Sequence, residues 1–500
     1  MFSAAFLPVI SAATVADSQT GMKELTPTEQ WVVAQNAAGN AADLTRQFPA
    51  DQDRKLSAHF LRDLLTGELP GFKPHRNGLR IIGAIIDEPI DLQNAQIPCT
   101  VSLTLCHFRK DVFFAHAKVV GHAVFDSTHF EGKASFTRAD IAGNFTAFGA
   151  RFRNRQTKVI YHGEPDFQNI KVEGDAVFDR ATFEGQASFA RADVAGDFTA
   201  FKASFLNQHE AANFFSMKVG GRGIFRGALF EGMAEFAEAA IASDFDAMEA
   251  KFQGAAIFLK LKVGGRAFFS DTRFRGLVDF AYADIGWLDL SRASWPKLAA
   301  QIQMQGMNYN YIRAVQDNEA KSHEALLELA KQWPYTPDVY ANLEAFFLRR
   351  GYPADADKAF IAGKRREQEQ WGRKPKERVL EYIRSGQWFQ WLGSWGLDLL
   401  VGYGRHPWQA GIPCAVLVAL GCILFSPQKM EPQKPQDTPR VYNRFWYSLG
   451  LFLPVVDLQA DTVWKPKADQ PFLRNYARVH ALLGWVLIPI VLAALTGLIK

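Results

Sequence analysis

Cysteine is scarce in this 500-residue chain: Cys99, Cys106, Cys414 and Cys422 are the only four. None falls in a Cys-x-x-Cys or Cys/His arrangement of zinc-ligand spacing, which excludes a disulfide framework and a structural zinc site. An excess of one charge is missing too. The 56 Lys and Arg against 52 Asp and Glu leave a formal net charge of +4, too little for a whole-chain nucleic-acid binder. No GxGxxG follows a strand pattern, and no haem or iron–sulfur ligand set occurs, so the sequence predicts no cofactor and no enzyme activity. With 48% hydrophobic and 22% charged residues the chain is too apolar for disorder and long enough for several domains. What it has in quantity is phenylalanine, 41 residues against 12 Trp and 12 Tyr.

The Phe residues recur at alternate steps of five and six. From Leu92 the steps reach Ile97, Leu103, Phe108, Phe114, Val119, Phe125, Phe130 and Phe136, and they continue to Ile285. The residue two places before each stop is usually Ala. Neither a 3.6-residue helix period nor the two-residue strand period explains this spacing, whereas a chain that turns a corner every five or six residues does. Four such sides make a coil of 22 residues. One side then stacks Phe108, Phe130, Phe152, Phe183, Phe205, Phe230, Phe252 and Phe274 as the expected core. A second side reads Ile97, Val119, Ile141, Val172, Val194, Val219, Ile241, Val263 and Ile285. On a third, Ala147, Ala200 and Ala247 replace the large residue, and Phe145, Phe198 and Phe245 stand two places earlier. Large and small have exchanged, as a close-packed interior of fixed volume requires. The exchange recurs every second coil, so the repeat unit is 44 residues, with insertions at 153–166 and 206–213.

Segments such as Ala139-Asp140-Ile141, Ala192-Asp193-Val194 and Ala283-Asp284-Ile285 resemble the pentapeptide-repeat family. That resemblance implies a right-handed quadrilateral β-solenoid over residues 76–312. Residues 1–75 are expected to form an N-terminal helical cap, with a capping box at Thr26-Pro27-Thr28-Glu29 and a second helix around Leu56–Leu65 ending at Gly67. Residues 313–405 read as a helical adaptor and juxtamembrane segment, in which Tyr340–Arg349 and Ala354–Trp371 form a hairpin at Gly351.

Residues 406–500 read as a two-span membrane anchor with an amphipathic connection at Val441–Leu458. Pro407–Phe425 and His480–Ile499 carry no formal charge and have bilayer length. Tyr403-Gly404-Arg405-His406-Pro407-Trp408, with Leu453-Pro454-Val455-Val456-Asp457-Leu458, resembles a group of bacterial membrane-anchored pentapeptide-repeat proteins. These features place the chain in the inner membrane as a multi-pass protein. The missing basic n-region near Met1, with Met22 as an alternative start, puts the solenoid in the cytoplasm, although the eight Lys and Arg of 427–478 favour the opposite orientation.

Two sites follow from these readings. The insertions bring Tyr161, His162, Glu164, Asp166, His209 and Glu210 to one corner as a partner loop. In the anchor, Tyr447, Ser448, Pro454, Val456 and Asp457 are similar to the pore loop of two-span channels, without the glycines a potassium filter needs. The main expectation is a scaffold or sensor that presents its faces to an unidentified protein partner; the alternative is a pore-loop channel. A net charge of −3 over residues 81–295 argues against DNA mimicry, and any homo-oligomer is expected to form through the membrane region.

Overall fold

The computed structural model describes residues 25–153, 166–296, 301–316, 318–332, 334–372, 402–405, 411–433, 441–453 and 463–496, with Asp398 and Gln409. It divides into two compact units, Met1–Glu319 and Ala320–Lys500.

In the first unit, short parallel strands wind a β-solenoid of about ten turns. Phe108, Phe130, Phe152, Phe183, Phe205, Phe230, Phe252 and Phe274 align in register in one nine-stranded ladder that begins at Ile86. Their rings are 4.7–5.2 Å apart, with interplanar angles of 1–12°. A second stack runs through Phe114, Phe136, Phe167, Phe189, Phe214, Phe236, Phe258 and Phe280 at 4.6–5.4 Å. These separations follow from strand spacing: rings on adjacent strands inherit a distance of ~4.8 Å.

The exchanged residues complete a third column, Phe125, Phe145, Phe178, Phe198, Phe225, Phe245 and Phe269, spaced 5.3–5.6 Å beyond a first step of 5.7 Å. Phe145 is in register with Ala123 and Ala176, not with Phe125 and Phe178. Each ring therefore steps sideways from its neighbours, and the planes tilt by 29–38°. Between columns the rings meet edge to face, as Phe136 meets Phe145 at 5.1 Å and 81°. Edge-to-face and offset contacts suit the ring quadrupole and add about 0.5–1.5 kcal/mol each beyond area burial.

Two corners of each turn hold a residue at positive φ. Asn94, His116, Arg138, Asn169, Arg191, Ser216, Glu238, Lys260 and Tyr282 all lie between 52° and 60°. The Ala95 N–H donates to Leu92 O at 3.1 Å, closing a four-residue turn around Asn94. Positive φ at the third turn residue is the type II requirement, here met mostly without glycine. Another corner carries a ladder of side-chain acceptors. Asn144 N–H donates to His122 Nδ1, Asp175 N–H to Asn144 Oδ1 and Asp197 N–H to Asp175 Oδ1, at 2.9–3.0 Å. Gly196 is needed there, because a Cβ would come within 2.3 Å of Asp175 Oδ1.

The N-terminal end is covered. At the N-terminal end, helix α1 (Pro27–Ala37) has the expected capping box between Thr26 and Glu29. Glu29 also accepts from the N–H and hydroxyl of Ser57, the N-cap of α2 (Ala58–Thr66), which ends at Gly67 with φ 76°. Burial alone would raise the Glu29 carboxyl, but the Thr26 and Ser57 hydrogen bonds hold it below its ordinary value. The cap is not wholly helical: Ala42–Asp43 forms a strand on Ile81–Ile82, covering the first exposed edge. At the other end Trp295 stacks on Phe274 at 5.3 Å, and the last strand is Asn308–Arg313. Near that end buried Asp289 accepts from Ser270 Oγ, Ser291 N–H and Arg313 at 2.7–2.9 Å. Burial pushes its carboxyl up, and the Arg313 and Ser291 hydrogen bonds outweigh this and hold it low.

The second unit is mainly helical, with α3 (Glu319–Gln332), α4 (Pro337–Arg350), α5 (Pro353–Gly372), α6 (Gly411–Leu424), α7 (Arg444–Phe452) and α8 (Pro471–Leu495), and an antiparallel strand pair, Met430–Pro432 with Trp464–Pro466. The α4–α5 hairpin turns at Gly351, where φ is 82°. Pro471–Ala493 is one helix long and apolar enough to cross a membrane. It starts nine residues before the expected His480, because Pro471 supplies the N-terminal position that Pro fits best. Of the first expected span, Pro407–Phe425, the described residues contain α6, with 14 residues and roughly 21 Å of helix, while Pro407, Trp408 and Ala410 lie outside them.

Candidate functional site

The expected partner loop is only partly within the described residues; Tyr161, His162 and Glu164 lie outside them. Asp166 is a rung of the solenoid itself, bridged to Ser135 and Ser188, and its carboxylate accepts from Gln168 N–H at 2.9 Å. In the second insertion Asn207 organises the turn. Its Oδ1 accepts from the N–H groups of His209 and Glu210 at 2.9 and 3.2 Å, and its Nδ2 donates to Glu210 Oε2 at 3.0 Å. Asn207 was not legible as a site residue, although Leu206-Asn207-Gln208 bears an Asx-turn signal. Among the described residues no cluster of His, Cys, Asp and Glu could hold a metal ion. Burial pushes the Cys106 thiol up to about 12, which makes it a packing residue.

In the second unit, Arg405 is clamped by the α4–α5 hairpin. Its guanidinium pairs with Glu344 of α4 and with Asp357 of α5 at 3.1 Å, and lies 4.6 Å over the Phe360 ring. The Tyr-Gly-Arg stretch is thereby fixed to the hairpin, with Tyr403 in the left-handed region at φ 53°. Arg365 of α5 holds Asp398 through both carboxylate oxygens at 3.0 Å. Arg suits both positions because its planar fork matches carboxylate pairs.

Of the expected pore-loop residues, Pro454, Val456 and Asp457 lie outside the described residues. Tyr447 and Ser448 are on α7, which is capped by Asn443. Ser448 is fully buried between α6 and α8, and its hydroxyl donates to Val418 O at 2.9 Å. His480, also fully buried, stands 3.1 Å from Ser448 O through Nε2, while Tyr476 OH lies 3.4 Å from Nδ1. A ring that donates from Nε2 and accepts at Nδ1 satisfies all of these groups. Ser448 Oγ also lies 3.3 Å from His480 Nε2, so the pair ties α6, α7 and α8 together. Close approach depends on two glycines. A Cβ on Gly421 would meet Ser448 Oγ at 2.1 Å, and one on Gly484 would meet Phe452 O at 1.9 Å.

Beside this tie an apolar groove of about 560 Å³ is lined by Cys414, Val418, Cys422, Phe445, Phe452 and Ile488, among others. The outer faces of the same helices expose Ile412, Val416, Ile423, Leu482 and Trp485, each by more than half. Comparison with protein-family models, with curated proteins and with solved structures found no match.

Proposed function

We propose that the chain is a membrane-tethered solenoid scaffold, non-enzymatic, that presents its faces to a protein partner. The supporting observation is a ladder that fixes outward side chains at strand spacing over about ten turns, in a chain that also carries a candidate spanning helix. A pentapeptide-repeat solenoid, right-handed and four-sided, accounts for four large apolar positions in every 22 residues. The Arg405 clamp supports an adaptor that delivers the chain rigidly to its first apolar helix.

In this reading the anchor crosses the inner membrane twice and the solenoid is cytoplasmic. Reporter fusions at residue 25 and within 434–440 test the topology: opposite compartments are expected, and the same compartment refutes it. Crosslinking in native membranes tests the scaffold. Capture of a discrete partner through the solenoid, lost on reversing surface charges of one face, is expected; capture indifferent to every face refutes the proposal.

A further inference from the structure

The outward side chains beside the β-branched ladder are not random. In successive rungs they are Gln96, Lys118, Asp140, Lys171, Asp193, Lys218, Ala240, Lys262, Asp284 and Asn308, all in register. The column alternates Lys and Asp with one gap, at Ala240. The outward positions two residues on are mostly small: Ala142, Ala195, Gly220, Ala242, Gly264 and Gly286. Lys171 closes an ion pair on Glu173 of its own rung, whereas Lys118, Asp140, Asp193, Lys218 and Lys262 make none within 4.0 Å among the described residues.

We propose that this face binds the same face of a second copy of the chain, with the two solenoids antiparallel. An alternating column is self-complementary only under particular symmetry. A two-fold axis along the solenoid would set Lys on Lys and Asp on Asp. A two-fold axis that runs along the strands, midway between the Asp193 and Lys218 rungs, sets unlike charges together. Lys118 then faces Asp284, Asp140 faces Lys262 and Asp193 faces Lys218, each pair occurring twice. Gln96 faces Asn308, so the ten rungs overlap completely.

Two irregularities fit the same axis. Lys171, the lysine already neutralised by Glu173, is set opposite Ala240, the one place between two lysines of the column where the alternating Asp is missing. Val120, 65% exposed and the bulkiest apolar side chain beside the column, faces Gly286, and Glu173 faces Ala242. Attraction between adjacent rungs of one chain would explain alternation, but not the matching of these exceptions across the centre.

Ten rungs at ~4.8 Å and a side roughly 10 Å wide bury on the order of 900 Å² in total, which is the size of a weak, transient interface. Exposed ion pairs make it salt-sensitive. The pairing stands on this ladder alone, and it leaves the other faces to the partner proposed above.

The test uses two full-length chains in detergent with the native cysteines replaced, one carrying Val120→Cys and the other Gly286→Cys. A Cβ at Gly286 has only an ordinary contact, 3.6 Å from Gly265 O. Within one chain the two sites are seven rungs, roughly 34 Å, apart, so a short bismaleimide joins them only between copies. We expect a crosslink that falls at least about tenfold between ~0.01 M and ~1 M salt, as the Debye length drops from about 30 to 3 Å. It should also vanish when both copies carry Lys118→Asp, Lys218→Asp and Lys262→Asp. Mixing that variant with one carrying Asp140→Lys, Asp193→Lys and Asp284→Lys should restore it. No crosslink with native charges, a crosslink indifferent to salt, or failure of two folded charge variants to recover on mixing would each overturn the proposal. Circular dichroism of the variants establishes folding, and the salt series decides the matter if they do not fold.

Discussion

The exchange of Phe145 and Ala147 gives the most exacting test of the core. Phe145 is fully buried, 5.7 Å from Phe125 and 5.3 Å from Phe178, and Ala147 beside it is equally buried. Phe145→Ala removes a ring from the middle of a column, and costs about 3–5 kcal/mol. Ala147→Phe adds a ring to a site already full, and costs about 1–3 kcal/mol by overpacking. Independent effects would sum to roughly 4–8 kcal/mol. In the double variant the ring moves into line with Phe125 and Phe178, making a straight stack like that of Phe130 and Phe152, 5.0 Å apart and nearly parallel. Interior volume is then unchanged, and the cost should fall below about 1.5 kcal/mol. Thermal unfolding of the full chain in detergent, followed by circular dichroism, reads this directly. At ~2–4 °C per kcal/mol the first variant loses roughly 6–20 °C and the double variant less than about 6 °C. A double variant as unstable as the sum of the singles would refute the volume-exchange account.

Arg405→Ala should weaken the α4–α5 hairpin by about 1–3 kcal/mol, because Glu344 and Asp357 lose a shared partner; hydrogen exchange in 337–372 reads it, and Arg405→Lys should rescue little. Asp289 and Glu29 both have lowered native values, so their contribution to stability is complete above the ordinary carboxylate range and is lost as pH falls through those lower values. Acid titration of Asp289→Asn should show a shallower loss than the parent chain, and an identical acid limb would contradict the assignment. Gly484→Leu should separate α7 from α8, with a lower unfolding temperature in detergent and a solenoid spectrum left intact.

Much of the solenoid was legible because its signal is volume repeated at fixed intervals: Phe130, Phe152 and Phe183 needed only counting. The Phe145 exchange was equally readable, since a missing large residue and a surplus one lie two positions apart. The corners were harder. Nothing in Arg138 or Lys260 announces a left-handed backbone; the turn imposes it, and side-chain chemistry does not request it. The Asp289 and Ser448–His480 groupings were invisible for another reason. Each joins residues whose nearness depends on how strands or helices pack, and no spacing along the chain encodes that. The limit of the last helix also shifted, because the uncharged run from His480 reports solubility in lipid more directly than where hydrogen-bonded turns begin, at Pro471.

The sideways step of alternate rings has a consequence for how such a molecule can change in length. Removing one 22-residue coil would bring together two rungs whose rings are offset the same way, and would set like charges beside each other in the outer Lys–Asp column. Removing two coils leaves both arrangements in phase. Growth or loss of an even number of turns therefore preserves both the ring offset and the charge alternation, whereas an odd number alters both.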